Sequence, residues 1–308
     1  MSTSVLFDAP GPRARRRSRI ASVVVILLIA AGLAWMVVTL AQPRESGGIT
    51  LPGYFDWSRW EKPVTDPEFW GAVGRGVLNT LQAAGLAAVM ALVVGVLFAL
   101  GRTAGTAFVR VPVTVVLEFL RGMPVLLMML FILLVASTGA FWAVVLALGL
   151  YNGAIIGEAL RAGIASLPRG QREAGLSLGM TRLQTKMLVE FPQAFRQMLP
   201  IILAQLVVLL KDTSLGYIVG YNELIRTTMN NLSSFYGNRY LFSLFFITLI
   251  IYLAVNLTLS YLIRRLARRS MARPGRIGGI IPNIIPAEGG AVNATLITPV
   301  DPADRTTE

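Results

Sequence analysis

The sequence predicts an all-α integral membrane protein with about six transmembrane helices and one long hydrophilic insert. Of the 308 residues, 55% are hydrophobic and 14% are charged, and the mean hydropathy is +0.65. Because an ordinary soluble domain is about 25% charged, this composition indicates that lipid surrounds most of the chain. The absence of cysteine and histidine excludes disulfides and metal sites built on thiolates or imidazoles.

Six apolar runs can form the transmembrane helices. A hydrocarbon core of about 30 Å requires about 20 mostly apolar residues in a helix. The six runs are 20–40, 77–100, 111–135, 140–157, 197–219 and 241–263, of which the fourth is short. Six crossings would put both chain termini on the same side of the membrane.

The basic residues predict which side that is. Arginine and lysine concentrate before the first run, in 101–110, in 161–196 and at the start of the tail, whereas acidic residues balance them in 41–75. Since cytoplasmic loops carry the basic excess, we expect a multi-pass protein of the cell membrane with cytoplasmic termini and a cytoplasmic insert. The net charge of +12 is then a topology signal, and it does not predict nucleic-acid binding.

The N-terminal quarter of the chain divides into three segments. Residues 1–19 form a basic cytoplasmic start, for which contact with anionic lipid is an alternative role, and 20–40 form an extra transmembrane helix. A cleaved secretory signal is the alternative for 20–40, but the run exceeds the usual length of about 7–15 residues. Segment 41–74 is external. Its aromatic part, 54–70, predicts an interfacial belt or a docking face for an external binding protein.

The C-terminal segment 266–308 is predicted to be cytoplasmic and mostly disordered. Beyond Met271 it is rich in proline and glycine and has no helical period. It therefore adds no further membrane crossing.

Residues 166–192 predict two short helices with a sharp corner. Ser166 is expected to cap the first helix, and Gly179 to end it at positive φ. A capping box at 181–184 is expected to start the second helix, and Pro192 to end it. The small residues Ala174 and Gly175 would allow close approach of a partner surface, and a hairpin lying on lipid headgroups is equally compatible.

The spacing in this insert resembles the EAA loop of ATP-binding-cassette import permeases, whose pattern is E-A-A-x3-G-x9-I-x-L-P. The residues that match are Glu173, Ala174, Gly179 and Pro192. Gly175, Val189 and Phe191 replace the second alanine, the isoleucine and the leucine of the pattern. Stretches 79–81, 119–127, 151–164 and 210–215 resemble the polar-amino-acid (histidine/glutamate-type) branch of that family. The resemblance covers about 75–265, and 211–217 is most similar to actinobacterial glutamate permease subunits.

The resemblance implies a MetI-like core of five transmembrane helices within 75–265, preceded here by one extra helix. It implies a transport subunit rather than an enzyme, moving an amino acid such as glutamate by alternating access. The implied partners are a cytoplasmic ATPase dimer that binds ATP and Mg²⁺, a second identical or homologous permease, and an extracellular binding protein. The residues implied in coupling to the ATPase are Glu173, Ala174, Gly175, Gly179 and Pro192. This chain has no G-x-x-x-x-G-K-[ST] motif, so it carries no ATP site of that kind and no cofactor is expected on it.

Charged residues in or at the ends of apolar runs are candidates for a substrate path. Isolated charges there cost at least about 2.5–3.5 kcal/mol, so each needs a partner or a water-filled cavity. They are Glu118, Arg121, Glu158, Lys211 and Asp212, and Thr213 follows them. Interhelical ion pairs are one interpretation. In the other, Arg121 or Lys211 meets a substrate carboxylate, and Glu158 or Asp212 meets an ammonium.

Two other functions remain open. A self-contained ion-coupled carrier or channel could use the same charges, although such carriers usually have internal repeats and none is evident. A membrane-embedded transferase acting on lipid would need an acidic metal-binding motif, which is also not evident.

Overall fold

The computed structural model describes residues 11–46 and 48–271. The first ten residues of the predicted basic start lie outside this part, as do residues 272–308 of the predicted disordered tail.

Helices make up nearly all of the described chain. The longer ones are α1 (Pro12–Ala41), α3 (Pro67–Arg102), α4 (Ala107–Gly122), α5 (Val125–Val135), α6 (Ala140–Ala165), α9 (Phe191–Asp212) and α12 (Leu241–Met271). The shorter ones are α2 (Glu61–Thr65), α7 (Arg169–Ser177), α8 (Arg182–Thr185), α10 (Leu224–Arg226) and α11 (Ser233–Tyr236). Strands β1 (Arg44–Ser46) and β2 (Ile49–Leu51) form an antiparallel hairpin.

Two π-helical turns and three 3₁₀ turns link the shorter elements. The π turns are Lys186–Glu190, between α8 and α9, and Thr227–Leu232, between α10 and α11. The 3₁₀ turns are Trp57–Arg59, Thr213–Tyr217 and Asn238–Tyr240.

The predicted number of spans is confirmed when one bent pair is counted as a single crossing. Among the described residues, five helical segments are long and apolar enough to cross a membrane: Pro12–Ala41, Pro67–Arg102, Ala140–Ala165, Arg182–Tyr217 and Asn238–Arg265. Helices α4 and α5 together make the sixth.

The predicted run 111–135 is not straight, because α4 and α5 meet at 105°. Pro124 stands at the bend. A proline cannot donate a backbone hydrogen bond, and it restricts the residue before it to extended conformations. Met123 accordingly has φ −82° and ψ 129°.

The core is centred on α6, which packs against α3, α4, α5 and α9. Small residues let α3 and α6 approach closely. A Cβ added at Gly95 on α3 would lie 2.7 Å from the Cγ2 atom of Ile156, and one added at Gly153 on α6 would lie 2.7 Å from the Cγ1 atom of Val94. Such glycines are typical of helix packing in membranes, where close backbone contact replaces the hydrophobic driving force.

Helix α1 differs from the others because none of its residues is buried. It contacts the rest of the fold at its C-terminal end, where the backbone N–H of Tyr54 donates to the carbonyl of Leu40 at 2.9 Å. An apolar helix exposed on all sides is suited to lipid. Its position agrees with the predicted extra transmembrane helix.

Candidate functional site

The insert folds as a hairpin of α7 and α8 with a corner at Gly179, as the sequence predicts. Gly179 has φ +78°, a conformation that glycine adopts without strain. Its N–H donates to the carbonyl of Leu176 at 3.0 Å, and the N–H of Met180 donates to the carbonyl of Gly175 at 3.2 Å. This pair of bonds is a Schellman motif, which satisfies the last carbonyls of α7.

The second helix of the hairpin starts with the predicted capping box. The N–H of Gln184 donates to Thr181 Oγ1 at 3.3 Å, and the N–H of Thr181 donates to Gln184 Oε1 at 2.8 Å. An N-cap of this type stabilises a helix by about 1 kcal/mol. The corner is therefore fixed by hydrogen bonds on both sides.

The predicted cap at Ser166 is wrong. Pro168 occupies the N-cap position of α7, and its side chain makes no capping bond. Ser166 instead ends α6, and its hydroxyl donates to the carbonyl of Gly163 at 2.8 Å. The serine follows the last turn of α6 so closely that it serves this helix rather than the next one.

The predicted helix end at Pro192 is also wrong, because α8, the π turn and α9 form one helical segment through the proline. A proline ring crowds the carbonyl four residues earlier and lacks an N–H. The π turn at Lys186–Glu190 ends two residues before Pro192, and its wider spacing relieves this crowding.

Gly175 does not provide an open surface for a partner, contrary to the expectation. It is buried against α8, and a Cβ added there would lie 2.6 Å from Thr185 Cγ2. Glycine is therefore what allows α7 and α8 to touch. Ala174, Glu173 and Gly179 are exposed, and they remain available to a partner.

The hairpin also exposes leucines that sequence reasoning did not single out. Leu178, Leu183 and Leu188 are 83%, 68% and 68% exposed. The signal that could have identified them is the presence of apolar residues in an otherwise basic loop. Large apolar side chains exposed together on one hairpin indicate an interaction site or contact with lipid.

The hairpin is tied to the loop between α3 and α4 by Lys186. Its half-buried side chain donates from Nζ to the backbone carbonyl of Thr103. The sequence placed Lys186 among the loop bases and did not predict this anchor, because the bond joins residues far apart in the chain.

Glu118, Arg121 and Glu158 lie in one ion-pair cluster with Arg102 and Arg161. Glu118 pairs with Arg102 at 3.3 Å and with Arg121 at 3.4 Å, and Glu158 pairs with Arg161 at 2.7 Å and also with Arg102. The cluster joins α3, α4 and α6. Arg102 is its centre, and sequence reasoning had left this residue in a loop.

Lys211, near the end of α9, lies in a different place, on the wall of a cavity of about 400 Å³ formed mainly by α12. Ser214, Thr248, Tyr252 and Asn256 also line this cavity. Within the described residues, neither Lys211 nor the neighbouring Asp212 forms an ion pair.

Thr213 does not line the Lys211 cavity. Its side chain is fully buried, and its hydroxyl donates to the carbonyl of Leu210 at 2.6 Å. This hydrogen bond stabilises the end of α9, so the threonine is part of the helix terminus.

The ion-pair cluster and the Lys211 cavity are well separated. Gln205 Nε2 donates to Asn152 Oδ1 at 2.7 Å, which fixes the register of the neighbouring helices α9 and α6. Glu158 and Lys211 lie on opposite sides of this contact, so a rise of about 1.5 Å per residue places them about 18 Å apart along the bundle. A single small substrate cannot touch both.

A fully buried carboxylate, Glu223, closes the loop before α10. Its two oxygens accept from the N–H groups of Ile225 at 2.9 Å and Arg226 at 2.7 Å. Burial raises the pKa of Glu223 to about 7, against the opposing effect of these hydrogen bonds. The loop is held on α3, since Asn79 Nδ2 donates to the carbonyl of Asn222 at 2.8 Å.

Comparison with known proteins places this architecture in a family. Residues 91–271 match the family described as "Binding-protein-dependent transport system inner membrane component". The chain is 36% identical over 232 residues to the glutamate transport system permease protein GluD of Corynebacterium glutamicum, covering 73% of this chain and 84% of that protein. It is 32% identical over 225 residues to the glutamine transport system permease protein GlnP of Escherichia coli strain K12, covering 70% and 97%.

Solved structures agree with this assignment. The chain superimposes with a TM-score of 0.60 and 28% identity on a crystal structure of an amino acid ABC transporter with histidines, covering 67% of this chain and 97% of that one. An inward-facing structure of the MetNI methionine ABC transporter, at 19% identity and a TM-score of 0.55, has the same fold. The chain is a multi-pass membrane protein that belongs to the family of inner membrane components of binding-protein-dependent transport systems, and it is a transport component rather than an enzyme.

Proposed function

We propose that this chain is the permease subunit of an ATP-driven amino-acid importer, with glutamate as the substrate to test first. The observation that carries the proposal is the rigid hairpin of α7 and α8, which presents the family spacing and an exposed apolar surface on a multi-pass bundle. The similarity to relatives named as glutamate and glutamine permeases supports a polar amino acid as substrate.

In this proposal the hairpin faces the cytoplasm and docks on an ATPase subunit. The clustering of arginines in alternate loops supports that orientation. Glu173, Ala174 and Gly179 lie at the docking surface beside the exposed leucines. Gly175 and Pro192 act inside the chain, the first by letting the two hairpin helices touch and the second at the junction with α9.

The continuous helix gives the hairpin a mechanical connection to the membrane. Arg182–Tyr217 is a single helical segment, so movement of its hairpin end is carried along α9 to the Lys211 cavity. Two permease subunits and two ATPase subunits would act together. ATP and Mg²⁺ would bind to the ATPase subunits, and their closure would draw the two hairpins together and turn the cavity outward.

We assign substrate contact to Lys211 rather than to Arg121 and Glu158. Lys211 lines an open cavity and lacks an ion-pair partner in the described residues, so its ammonium can meet a substrate carboxylate. Asp212 does not line this cavity, so the substrate ammonium is not assigned to it. Arg121 already pairs with Glu118, and Glu158 already pairs with Arg102. Their place in the ion-pair cluster suits a structural role.

A self-contained carrier is the alternative, and the bend between α4 and α5 is the feature that favours it, because broken helices are common in secondary carriers. Uptake assays separate the two functions. The full-length chain is reconstituted in liposomes either alone or with its co-purified ATPase and the external binding protein. We expect uptake of labelled glutamate only with the ATPase and internal ATP. Gradient-driven uptake by the chain alone would support the carrier instead.

The orientation has its own test, since the chain has no native cysteine. A single cysteine at the exposed Leu178 (Leu178→Cys) should react with an impermeant maleimide only in inverted membrane vesicles. The control, Phe55→Cys in the segment 41–74, is also exposed and should react only in intact cells. Labelling of Leu178→Cys from outside would overturn the proposed coupling.

A further inference from the structure

Three arginines converge on a second and larger cavity, which adjoins the Lys211 cavity because Met229 and Phe245 line both. This cavity has a volume of about 740 Å³ and lies between the end of α1, the strand hairpin and the start of α12. Arg44, Arg59 and Arg239 line it together with Tyr54. Arg44 and Arg59 approach the ring of Tyr54 at 5.1 Å and 4.8 Å from the ring centroid.

The most deeply placed arginine is part of a built site. Arg59 is 7% exposed, its Nε donates to the carbonyl of Pro52 at 2.9 Å, and its Nη1 donates to the carbonyl of Arg239 at 2.9 Å. The Ser243 hydroxyl donates to the carbonyl of Arg59 at 2.6 Å. The guanidinium is thereby held in place at the cavity wall.

The three arginines of this cavity form no ion pair among the described residues, since no carboxylate there lies within ion-pair distance of Arg44, Arg59 or Arg239. Asp56 is near enough for Arg59 and Arg239 to contribute to lowering its pKa, but its main partner is Ser58. The hydrogen-bond partners of the Arg59 guanidinium are both backbone carbonyls. Because two further arginines lie beside it, the site favours an anion.

Another part of the lining of this cavity is apolar. Phe242, Phe245 and Phe246 line it in the first turns of α12, and Phe245 is 48% exposed. Leu40, at the end of the unburied helix α1, lines the other side. At a rise of about 1.5 Å per residue, these phenylalanines reach only about 10 Å into the span. The cavity is therefore cationic at the membrane surface and apolar just below it.

We propose that this cavity binds an anionic phospholipid of the adjacent leaflet. Its phosphate would lie among the three arginines, and its acyl chains would run along the phenylalanines of α12. The amphipathic wall favours a lipid over a soluble anion, because a free phosphate would leave the apolar half of the cavity unfilled. Arg44, Arg59 and Tyr54 lie outside the family match at 91–271, so the N-terminal segment of this chain contributes two of the three arginines of the site.

Native mass spectrometry of the full-length chain, with the subunits that co-purify, tests this proposal. The probes are palmitoyl-oleoyl phosphatidylglycerol, the matched phosphatidylcholine, and glycerol 3-phosphate. We expect phosphatidylglycerol to bind in preference to phosphatidylcholine. An arginine near a membrane surface contributes roughly fivefold to binding of anionic lipid. The double variant Arg44→Gln/Arg239→Gln should therefore weaken phosphatidylglycerol binding by more than about tenfold.

The control is Arg110→Gln, which removes an exposed arginine from α4 and should leave binding unchanged. Melting in phosphatidylcholine alone reports whether the double variant is folded. If the double variant is not folded, Arg44→Gln is tested by itself, since Arg44 makes no side-chain hydrogen bond in the described residues. This single substitution should still weaken phosphatidylglycerol binding about fivefold.

Equal binding of the two lipids, or an unchanged double variant, would overturn the proposal. So would displacement of phosphatidylglycerol by glycerol 3-phosphate at similar concentration, which would indicate a soluble-anion site. A double variant that binds lipid normally but no longer docks the external binding protein would assign the surface to that protein.

Discussion

Gly175 and Thr185 are in direct contact across the two helices of the hairpin, where a Cβ on residue 175 would lie 2.6 Å from Thr185 Cγ2 and 3.0 Å from its Oγ1. The related family pattern has alanine at the position of Gly175. In this chain the close contact with Thr185 is the reason for glycine there. The Thr185 hydroxyl is buried and has no hydrogen-bond partner in the described structure, which makes Thr185 the side chain that can be shortened.

We expect Gly175→Ala to destabilise the hairpin by about 1–3 kcal/mol, as overpacking of a closed contact does. Adding Thr185→Ala should restore most of the loss, because the clashing methyl and the unsatisfied hydroxyl are both removed. Melting temperatures of the four proteins of the cycle measure the coupling. Additive effects of the two substitutions would contradict the contact.

Gly179→Val should uncouple ATP hydrolysis from uptake. A β-branched residue at φ +78° costs roughly 1–2 kcal/mol, so the corner should open while the bundle stays folded. ATPase activity and labelled uptake are measured in the same vesicles. Gly170→Val is the matched control, since Gly170 also has open space at its Cβ but lacks the positive φ. Normal uptake by Gly179→Val would count against the role of the corner.

Glu158→Gln should destabilise the bundle without changing substrate affinity. The substitution leaves Arg102 and Arg161 without the carboxylate that they share, at a cost of about 1–3 kcal/mol. The melting temperature should fall, whereas the KM for uptake by the remaining folded protein should not change. Glu61→Gln, at an exposed position, is the control. A raised KM with normal melting would return Glu158 to the substrate path.

Lys211→Met should weaken uptake without lowering the melting temperature, which is the opposite of the result expected for Glu158→Gln. Removal of one charged hydrogen-bond partner of the substrate typically costs about 1.5–3 kcal/mol, so the KM for glutamate should rise roughly tenfold or more while melting is retained. The exposed Lys62 provides the control, Lys62→Met. An unchanged KM would remove Lys211 from the proposed site.

Glu223 should make stability depend on pH. Its pKa is raised to about 7 in the folded protein, whereas an unfolded glutamate has a pKa of about 4.3. Between these values the folded state binds the extra proton, so the free energy of unfolding should fall as pH rises from about 4.5 to 7 and then level off. The expected total is about 3 kcal/mol. Melting of the wild type and Glu223→Gln is compared from pH 5 to 8.5, and parallel curves would contradict the buried charge.

The features that the sequence predicted correctly are local. The corner at Gly179 and the capping box at Thr181 depend on residues within one turn of each other, and their hydrogen bonds require no tertiary contact. Apolar runs long enough to span lipid are equally local. For this reason the number of spans and the shape of the hairpin follow from the chain itself.

What could not be predicted depends on how the helices pack. The Arg102–Glu158 pair joins α3 to α6, and the contact of Gly175 with Thr185 requires the two hairpin helices to fold onto each other. The helix end predicted at Pro192 is wrong because a rule about proline in a regular α-helix does not apply after a π turn. The separation of Lys211 from Glu158 likewise depends on the register of α6 against α9.

Because α1 buries none of its residues, the rest of the bundle would lose almost no packing energy without it. Its removal would nevertheless change the parity of the crossings, and the remaining chain would have to begin on the opposite side of the membrane. We therefore expect a chain without the first helix to keep the packing of its bundle and to begin on the other side of the membrane.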